Sequence, residues 1–577
     1  MSNIAPSLTI LRKNLKKDAT GLTQKRVAIL GDEATQLLVQ AITGYGIDQG
    51  IYLNIWEGDY DQIDLQIHDP GSDFYLTDPE FVLIHKSTAK LWAKYATMEA
   101  GARSGLADQL LAAFAQYAEL INARTQARII LSNFPEQPDL VFGNFANKTE
   151  YSFLYQIRKL NLGLMDLAQR YENVFINDVA ALQHRIGKAQ ALDRKVWINA
   201  SMSGSMEFVP QMAKNVVDII QAVNGKFKKC LILDLDNTTW GGIIGDDGME
   251  GIQIGNLGLG KAFTELQRWA KNLKERGIIL AICSKNTESV AKVPFEAHPD
   301  MVLRLSDLAM FVANWENKAD NIRYIQQVLN IGFDSMVFLD DNPFERNLVR
   351  TELPAVTVPE LPEDPAEYLP YLEQLNLFET ASYSQEDAKR TKKYQQEAQR
   401  NQLKQNFGSI DEFLQGLNMK GSFKAFDSFH IPRIAQLTQR SNQFNLRTVR
   451  YDEQQVRQMM KGNGKKGFYI KLEDKFGEYG LISLLIVEAS EGDWKIDTWI
   501  MSCRVLKRGV EKFALNQLVE AARQAGVKRL LGEYLPTAKN ALVKDHYKEL
   551  GFQGEGQNWS LEVASYEAKA HFIQEEA

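Results

Sequence analysis

The sequence predicts an α/β chain in three folded parts: an N-terminal α/β domain over residues 1–224, a central parallel-sheet domain over 225–360 and a C-terminal α+β domain over 421–577. A helical connector is expected over 361–420. Three observations lead there. From Arg26 onward, apolar runs of strand length alternate with helix-length segments, which is the pattern of a mostly parallel sheet covered by helices. Two short apolar runs, Cys230–Leu233 and Ser335–Leu339, end directly in paired carboxylates, as strands buried on both faces would at a sheet's carboxyl edge. Beyond residue 465, three β-rich runs follow one another with short turns, which reads as an antiparallel series.

At 577 residues the chain has room for roughly three or four domains, each with its own core. Its formal net charge of −7 gives no electrostatic case for nucleic-acid binding. No uninterrupted apolar run approaches the ~20 residues that cross a bilayer. The opening MSNIAPSLTILRKNLKKD has no apolar region of signal-peptide length. Leu8, Leu11 and Leu15 instead suggest a short amphipathic helix that packs on the domain, with Arg12, Lys13, Lys16 and Lys17 in water. Cys230, Cys283 and Cys503 are far apart and have no metal-type spacing. A reduced, cytoplasmic protein is the expectation.

In the first domain, strands are expected near Arg26–Gly31, Ile51–Trp56, Phe81–His85, Arg128–Ser132 and Val174–Asn177. Helices are expected over Gly105–Arg124 and Leu154–Tyr171. In the second, Cys230–Leu233 runs into Asp234 and Asp236, then Thr238. Two carboxylates this close to a buried strand end crowd their charges unless a cation or a proton is shared. One reading makes Asp234 a nucleophile that also binds Mg²⁺ and Asp236 an acid/base beside it. The other is a strand followed by an acidic turn. The helix Gly260–Arg276 leads to the strand Gly277–Ile282, and Ser284 lies just beyond, where a hydroxyl can hold a phosphate oxygen. Lys318, at a helix entry, can serve as a point charge for phosphate. Ser335–Leu339 then runs into Asp340 and Asp341, with Glu345 beyond, and oxygen-only ligands suit Mg²⁺. In an open α/β sheet all these strand ends face one crevice.

From Leu361 the composition turns charged and rich in Gln, and Ser384–Lys404 has good helix formers with no Gly or Pro. In the third domain a helix is expected over Ile431–Gln443, and strands over Gly467–Leu472, Leu481–Glu488 and Trp494–Ser502. Then come Cys503-Arg504-Val505-Leu506-Lys507-Arg508-Gly509, a helix to about Gln524, a strand over Arg529–Tyr534 and a helix over Ala538–Leu550.

Gly31-Asp32 after the first strand is similar to the opening block of SGNH-type hydrolases, with Glu33 where the nucleophilic serine stands. No D-x-x-H pair occurs near Asp178 or Asn199, so no esterase activity is expected and the domain reads as scaffold or docking surface. The central motifs resemble the haloacid dehalogenase (HAD) superfamily. That resemblance implies Asp234 as nucleophile, Asp236 as acid/base, Thr238, Ser284 and Lys318 as phosphate binders, and Asp234, Asp236, Asp340 and Asp341 as the metal residues, with Asp340 or Glu345 as the supporting acid. The segment between the motifs leaves no room for a large cap. The third domain looks like a GNAT acyltransferase fold, in which R-G-x-G/A at a helix N-terminus cradles pyrophosphate. Here Arg508-Gly509-Val510 is followed by Glu511, and Tyr547 matches the position of the usual acid.

The strings DLDNTTWGGIIGDDG, FLDDNPFERNLVR, RIAQLTQRSNQFNLRT, IDTWIMSCRVLKRGVE and LPTAKNALVKDHYKELGF resemble, over essentially the whole chain, the FkbH-like family of polyketide and related biosynthesis. The resemblance implies enzymes that take the glyceryl group of 1,3-bisphosphoglycerate, remove its phosphate and load the glyceryl on an acyl carrier protein. In that scheme Cys503, beside Arg504, Lys507 and Arg508, takes the acyl group as a thioester, its thiolate favoured by those cations. Arg504, Arg508, Gly509 and Tyr547 would meet the carrier's phosphopantetheine arm. The competing reading is a plain Mg²⁺-dependent phosphatase whose C-terminal domain only binds a partner, with Cys503 a packing residue.

Overall fold

The structure is a computed structural model that describes residues 5–137, 139–383, 394–396, 400, 409–441, 443–462, 464–490, 492–537 and 539–576. It forms two compact units, Met1–Gln221 and Ala222–Ala577.

In the first unit, strands β1 (Thr23–Gly31), β2 (Ile51–Glu57), β3 (Phe81–His85), β4 (Arg128–Ser132) and β5 (Val174–Asn177) form one sheet. The order is β2-β1-β3-β4-β5 and every pair is parallel, the flavodoxin-type arrangement. Because helices cover it, β3 is buried at all five residues and β1 from Val27 to Gly31. Helices Leu106–Arg124 and Phe153–Arg170 supply Phe114, Ile121, Ile157 and Leu164 to that core. The N-terminal helix Leu8–Asn14 is capped by Ser7, whose hydroxyl accepts from the Ile10 amide. It buries Leu8 and Leu11, whereas Leu15 lies beyond it and is exposed. Leu11 sits so close to Gly44 that a β-carbon there would lie 2.2 Å from the Leu11 carbonyl oxygen, so this helix packs on the domain.

The second unit holds two sheets. The first is four parallel strands, β6 (Cys230–Leu233), β7 (Ile279–Ser284), β8 (Met310–Ala313) and β9 (Met336–Leu339), in the order β8-β7-β6-β9. It is a HAD-like Rossmannoid sheet. Between β6 and β7 only two helices intervene, Ile244–Gly251 and Gly260–Glu275, so no cap domain is inserted there. The segment 361–378, which composition assigns to the connector, packs on this sheet through Leu361, Tyr368, Leu372 and Phe378. Most of the helix expected over Ser384–Lys404 lies outside the described residues. Tyr394 is buried in the core of the four-stranded sheet, and Arg400 is buried in the next sheet, where it forms a fork with Asp474 at 2.7 Å on both nitrogens.

The second sheet is mixed and eight-stranded: β10 (Met419–Ala425), β11 (Lys465–Asp474), β12 (Gly477–Ser490), β13 (Asp493–Met501), β14 (Arg529–Glu533), β15 (Gln553–Glu555), β16 (Asn558–Glu562) and β17 (Ile573–Glu575). Its order is β15-β16-β14-β13-β12-β11-β10-β17, a GNAT-like α+β layout. Strands β13 and β14 run parallel and pair only over Asp493–Ile496 and Arg529–Gly532. Past that point the chain fills the gap itself. Asn445 bridges to Ile500, the Met501 amide donates to the Phe444 carbonyl at 3.3 Å, and the Leu535 amide donates to the Leu446 carbonyl at 2.9 Å. The helix expected over Ala538–Leu550 is instead a 3₁₀ turn at Ala541–Val543 and a short helix His546–Glu549. The buried Asn540 side chain explains the break: its amide donates to the carbonyls of Asn445 and Leu535 and its oxygen accepts from Thr537, alternatives that compete with helical hydrogen bonds.

Candidate active site

Strands β6 and β9 are neighbours, and each delivers an aspartate at its carboxyl end. The Asp234 amide donates to the Leu339 carbonyl at 2.9 Å, which fixes Asp234 beside Asp340. Carboxylate oxygens of Asp234, Asp340 and Asp341 lie within 4.8 Å of one another. Asp234 is 6 % exposed and Asp340 is fully buried. Lys318, the first residue of the helix Lys318–Leu329, places Nζ 3.0 Å from Asp234 Oδ1 and 2.5 Å from Asp340 Oδ2. Burial opposes the charge on Lys318, but the two carboxylates outweigh it and raise its pKa. Burial, then the charge of Asp234, pushes Asp340 up to about 7 and also raises Asp341.

Two buried carboxylates, Asp234 and Asp340, and the half-buried one of Asp341 face one ammonium. That leaves two excess negative charges in a poorly solvated crevice, a cost that a divalent cation with oxygen ligands removes. Asp234, Asp340 and Asp341 therefore fit such an ion. The Arg346 side chain holds the loop by donating to the main-chain carbonyls of Asp340, at 2.9 Å, and Asp341, at 2.6 Å.

The carboxylate of Asp236, expected as acid/base and among the metal residues, lies outside this cluster. Its Oδ1 accepts from the Trp240 indole at 3.0 Å and the Ile244 amide at 3.1 Å, and its Oδ2 accepts from Asn286 at 3.0 Å. Burial raises its pKa. Thr238 is fully buried; its hydroxyl accepts from the Asp341 amide at 3.0 Å and so locks the two aspartate loops together. Ser284 ends β7 and is 1 % exposed. Glu345 pairs with Lys285 at 2.6 Å and lies outside the carboxylate cluster. Cys230 and Cys283 are fully buried core thiols, and burial pushes Cys230 up to about 12.

Sequence reasoning missed Trp240, Asn286 and Arg346. Each acts through a hydrogen bond to a motif residue, and no spacing rule reveals that. The conspicuous signal was the tryptophan two residues after Thr238, a large apolar residue with a single donor in an otherwise polar loop.

At the other sheet, the turn Cys503–Val505 follows β13, and the Cys503 side chain lies outside the described residues. Arg504 is 7 % exposed. Its Nε donates to the Ser502 hydroxyl at 3.3 Å and its Nη2 to the Tyr479 carbonyl at 3.4 Å. Arg508 is also buried and donates to the Tyr479 hydroxyl at 2.7 Å. Gly509 takes the left-handed conformation, φ 79°, just before the helix Val510–Gln524, with the Glu511 carboxyl pushed up by burial in its first turn. Tyr547 is 1 % exposed, not on an open cleft as expected of a catalytic acid. It packs against Gly532, where a β-carbon would come within 2.5 Å of its ring.

The family model for the FkbH N-terminal domain matches residues 26–221. No curated protein matches the sequence. Among solved structures, the N-terminal part of the protein BF1531 from Bacteroides fragilis, which contains a phosphatase domain and was crystallised with Mg, is 52 % identical. That match covers 65 % of this chain and 100 % of the other, with a TM-score of 0.63. Two acetyltransferases are matched over a quarter of this chain: spermidine/spermine N-acetyltransferase SpeG from Vibrio cholerae, and the ribosomal-protein-S18-alanine N-acetyltransferase of Escherichia coli. Each is 14 % identical with a TM-score of 0.21; 26 % of this chain is covered, and 96 % and 99 % of theirs. With 52 % identity over the full length of the Bacteroides structure, and the N-terminal family model matched beside it, the chain belongs to the FkbH-like family.

Proposed function

We propose that the chain is a Mg²⁺-dependent phosphatase coupled to acyl transfer, which takes the glyceryl group of 1,3-bisphosphoglycerate, removes its phosphate and loads the glyceryl on an acyl carrier protein as a thioester. The observation that carries the phosphatase half is the buried set Asp234, Asp340, Asp341 and Lys318 at two adjacent strand ends. It is the more telling because the Bacteroides protein of 52 % identity contains a phosphatase domain complexed with Mg.

In the first step the Cys503 thiolate attacks the carbonyl carbon of the acyl phosphate. The bond from that carbon to the phosphate oxygen breaks, phosphate leaves and a thioester forms. In the second, an Asp234 oxygen attacks the phosphorus of the remaining monoester. The ester P–O bond breaks, and the departing alkoxide takes a proton from Asp236. The raised pKa of Asp236, due to burial, suits that acid role. Water then attacks the phosphorus of the aspartyl phosphate, gives its proton to Asp236 and frees Asp234. Lys318 and the Ser284 and Thr238 hydroxyls are the phosphate binders in this scheme. The Mg²⁺ held by Asp234, Asp340 and Asp341 would neutralise charge on the transferring phosphoryl group. Between these two steps the carrier's thiol attacks the thioester carbonyl, takes the phosphoglyceryl group and leaves Cys503 as the free thiol.

A second reading, plain phosphatase action with the C-terminal domain binding a partner only, is favoured by one observation. The residues Phe444–Leu446 hydrogen-bond across the gap between β13 and β14, and Tyr547 is buried beside it. Intact-mass spectrometry after mixing the protein with 1,3-bisphosphoglycerate and Mg²⁺ separates the two. A covalent adduct of phosphoglyceryl or glyceryl mass supports transfer; phosphate release without any adduct supports the plain phosphatase.

A further inference from the structure

A cavity of about 510 Å³ lies between the two sheets of the second unit, within the range of small-ligand sites. One wall comes from the amino-terminal side of the four-stranded sheet: Lys229, just before β6, and the loop Asn330–Ser335, just before β9. The other comes from the end of β13, with Met501, Ser502 and Arg504, and from the helix Ile431–Arg440 with Arg433. Among the described residues that line it, the cations are Lys229, Arg433, Arg504 and Lys539, and the one carboxylate is Asp334, which pairs with Lys539.

Arg504 is the telling residue. The residue is more than nine-tenths buried and is part of the cavity lining. Two of its nitrogens make long bonds to neutral oxygens, at 3.3 and 3.4 Å. The third, Nη1, has no hydrogen-bond partner, and Arg504 has no carboxylate partner among the described residues. A buried charge left so is costly unless something anionic completes it. Its planar fork matches a phosphate better than a point charge does.

We propose that this cavity is a second anion site, separate from the aspartate crevice, which takes a phosphate ester of small-molecule size with its phosphate on Arg504. The two sites lie at opposite ends of β6, since Lys229 precedes that strand and Asp234 follows it. Five residue steps along extended chain put their main chains roughly 16 Å apart. One bound phosphate therefore cannot serve both. The phosphate can come from two sources, a phosphorylated acid such as the acyl donor or a phosphopantetheine arm, and both carry the same anionic head. The inference does not need the phosphatase reading to hold.

The test is calorimetric titration of the full chain in EDTA, because without a divalent cation the three carboxylates of the aspartate crevice repel phosphate. The probes are 3-phosphoglycerate and 4′-phosphopantetheine, each titrated separately. One equivalent of at least one probe is expected to bind, and the tighter probe identifies the source. Arg504→Gln should weaken it by about tenfold or more, the loss of one charge-assisted fork. Lys229→Met, at a half-buried site less demanding of the fold, should weaken it in the same direction. Asp234→Asn should leave this metal-free binding unchanged, while abolishing Mg²⁺-dependent phosphate release if the phosphatase reading holds. No binding of either probe to the wild type in EDTA overturns the proposal. So does binding that survives both Arg504→Gln and Lys229→Met, or binding that Asp234→Asn removes.

Discussion

Asp234 and Asp236 are two residues apart, yet their surroundings assign them different work. Asp234 lies beside Lys318, Asp340 and Asp341, in the crevice that the proposed reaction gives to the phosphoryl group. Asp236 is held by Trp240, Ile244 and Asn286, and burial favours its protonated form. Asp234→Asn should keep the fold and drop phosphate release to background in a phosphate-detection assay, because an amide is a poor nucleophile. Asp236→Asn should cost about 10²–10⁴-fold, the usual range for a lost acid/base. Near-normal turnover in either variant would reverse the assignments. Asp341→Ala should weaken Mg²⁺, measured by calorimetry, by more than the roughly 10–100-fold that an outer-shell change costs; unchanged affinity removes Asp341 from the site. The paired aspartates were legible because adjacent charges at buried strand ends need a cation whatever the fold. The aim of the Asp236 carboxylate was not, since its contacts with Trp240, Ile244 and Asn286 arise only in three dimensions.

At the scale of elements, the short apolar strands were the most legible: β3, β4 and β6, buried almost throughout, and the edge strand β5 have the bounds their apolar runs suggest. The short final strands, β15 and β17, were not, because three-residue pairings carry no periodicity. Nor was the broken helix after β14, where one side chain, Asn540, overrides a favourable helical composition. A different element contact makes a pH prediction. Glu33, after β1, accepts from His85 at the end of β3 at 2.9 Å and from the Ser203 amide at 2.9 Å and hydroxyl at 3.0 Å. Burial opposes both charges, but the pair outweighs it: His85 is raised and Glu33 lowered. The contribution of His85 is complete below its ordinary value of 6.5 and is lost as pH rises through its raised value. That of Glu33 is complete above 4.5 and is lost as pH falls through its lowered value. Protection of the β1 and β3 amides, taken relative to their intrinsic exchange rates, should thus be greatest in the window between and should fall on the alkaline side. Glu33→Gln should flatten that profile and speed exchange throughout. With its carboxylate committed to His85 and Ser203, residues 1–221 should also show no turnover of activated esters.

For the whole molecule, the question is how chemistry at the Cys503 turn is joined to chemistry at Asp234. The cavity that reaches Ser502 and Arg504 opens on the amino-terminal side of the four-stranded sheet, and the aspartates stand on the carboxyl side. An acyl group fixed on Cys503 cannot present its monoester to Asp234 unless the two sheets move or the group first leaves on a longer tether. A carrier's phosphopantetheine arm is such a tether, which predicts an order: loading on the carrier before dephosphorylation. The expected observation is a carrier bearing phosphoglyceryl mass when the protein, carrier, Mg²⁺ and 1,3-bisphosphoglycerate are mixed and quenched early, replaced later by glyceryl mass. In Asp234→Asn the phosphoglyceryl carrier should accumulate and persist. Cys503→Ala should lose both the protein adduct and carrier loading, while Mg²⁺-dependent hydrolysis of a small monoester continues, because the Asp234 site is chemically separate. Cys503→Ser should load slowly, through an oxyester that transfers less readily than a thioester. A Cys503→Ala protein that loads the carrier at the wild-type rate would make transfer direct and Cys503 a packing residue. Glyceryl mass appearing on the carrier with no phosphoglyceryl precursor, in a time course fast enough to see one, would place dephosphorylation first and require the two sheets to move.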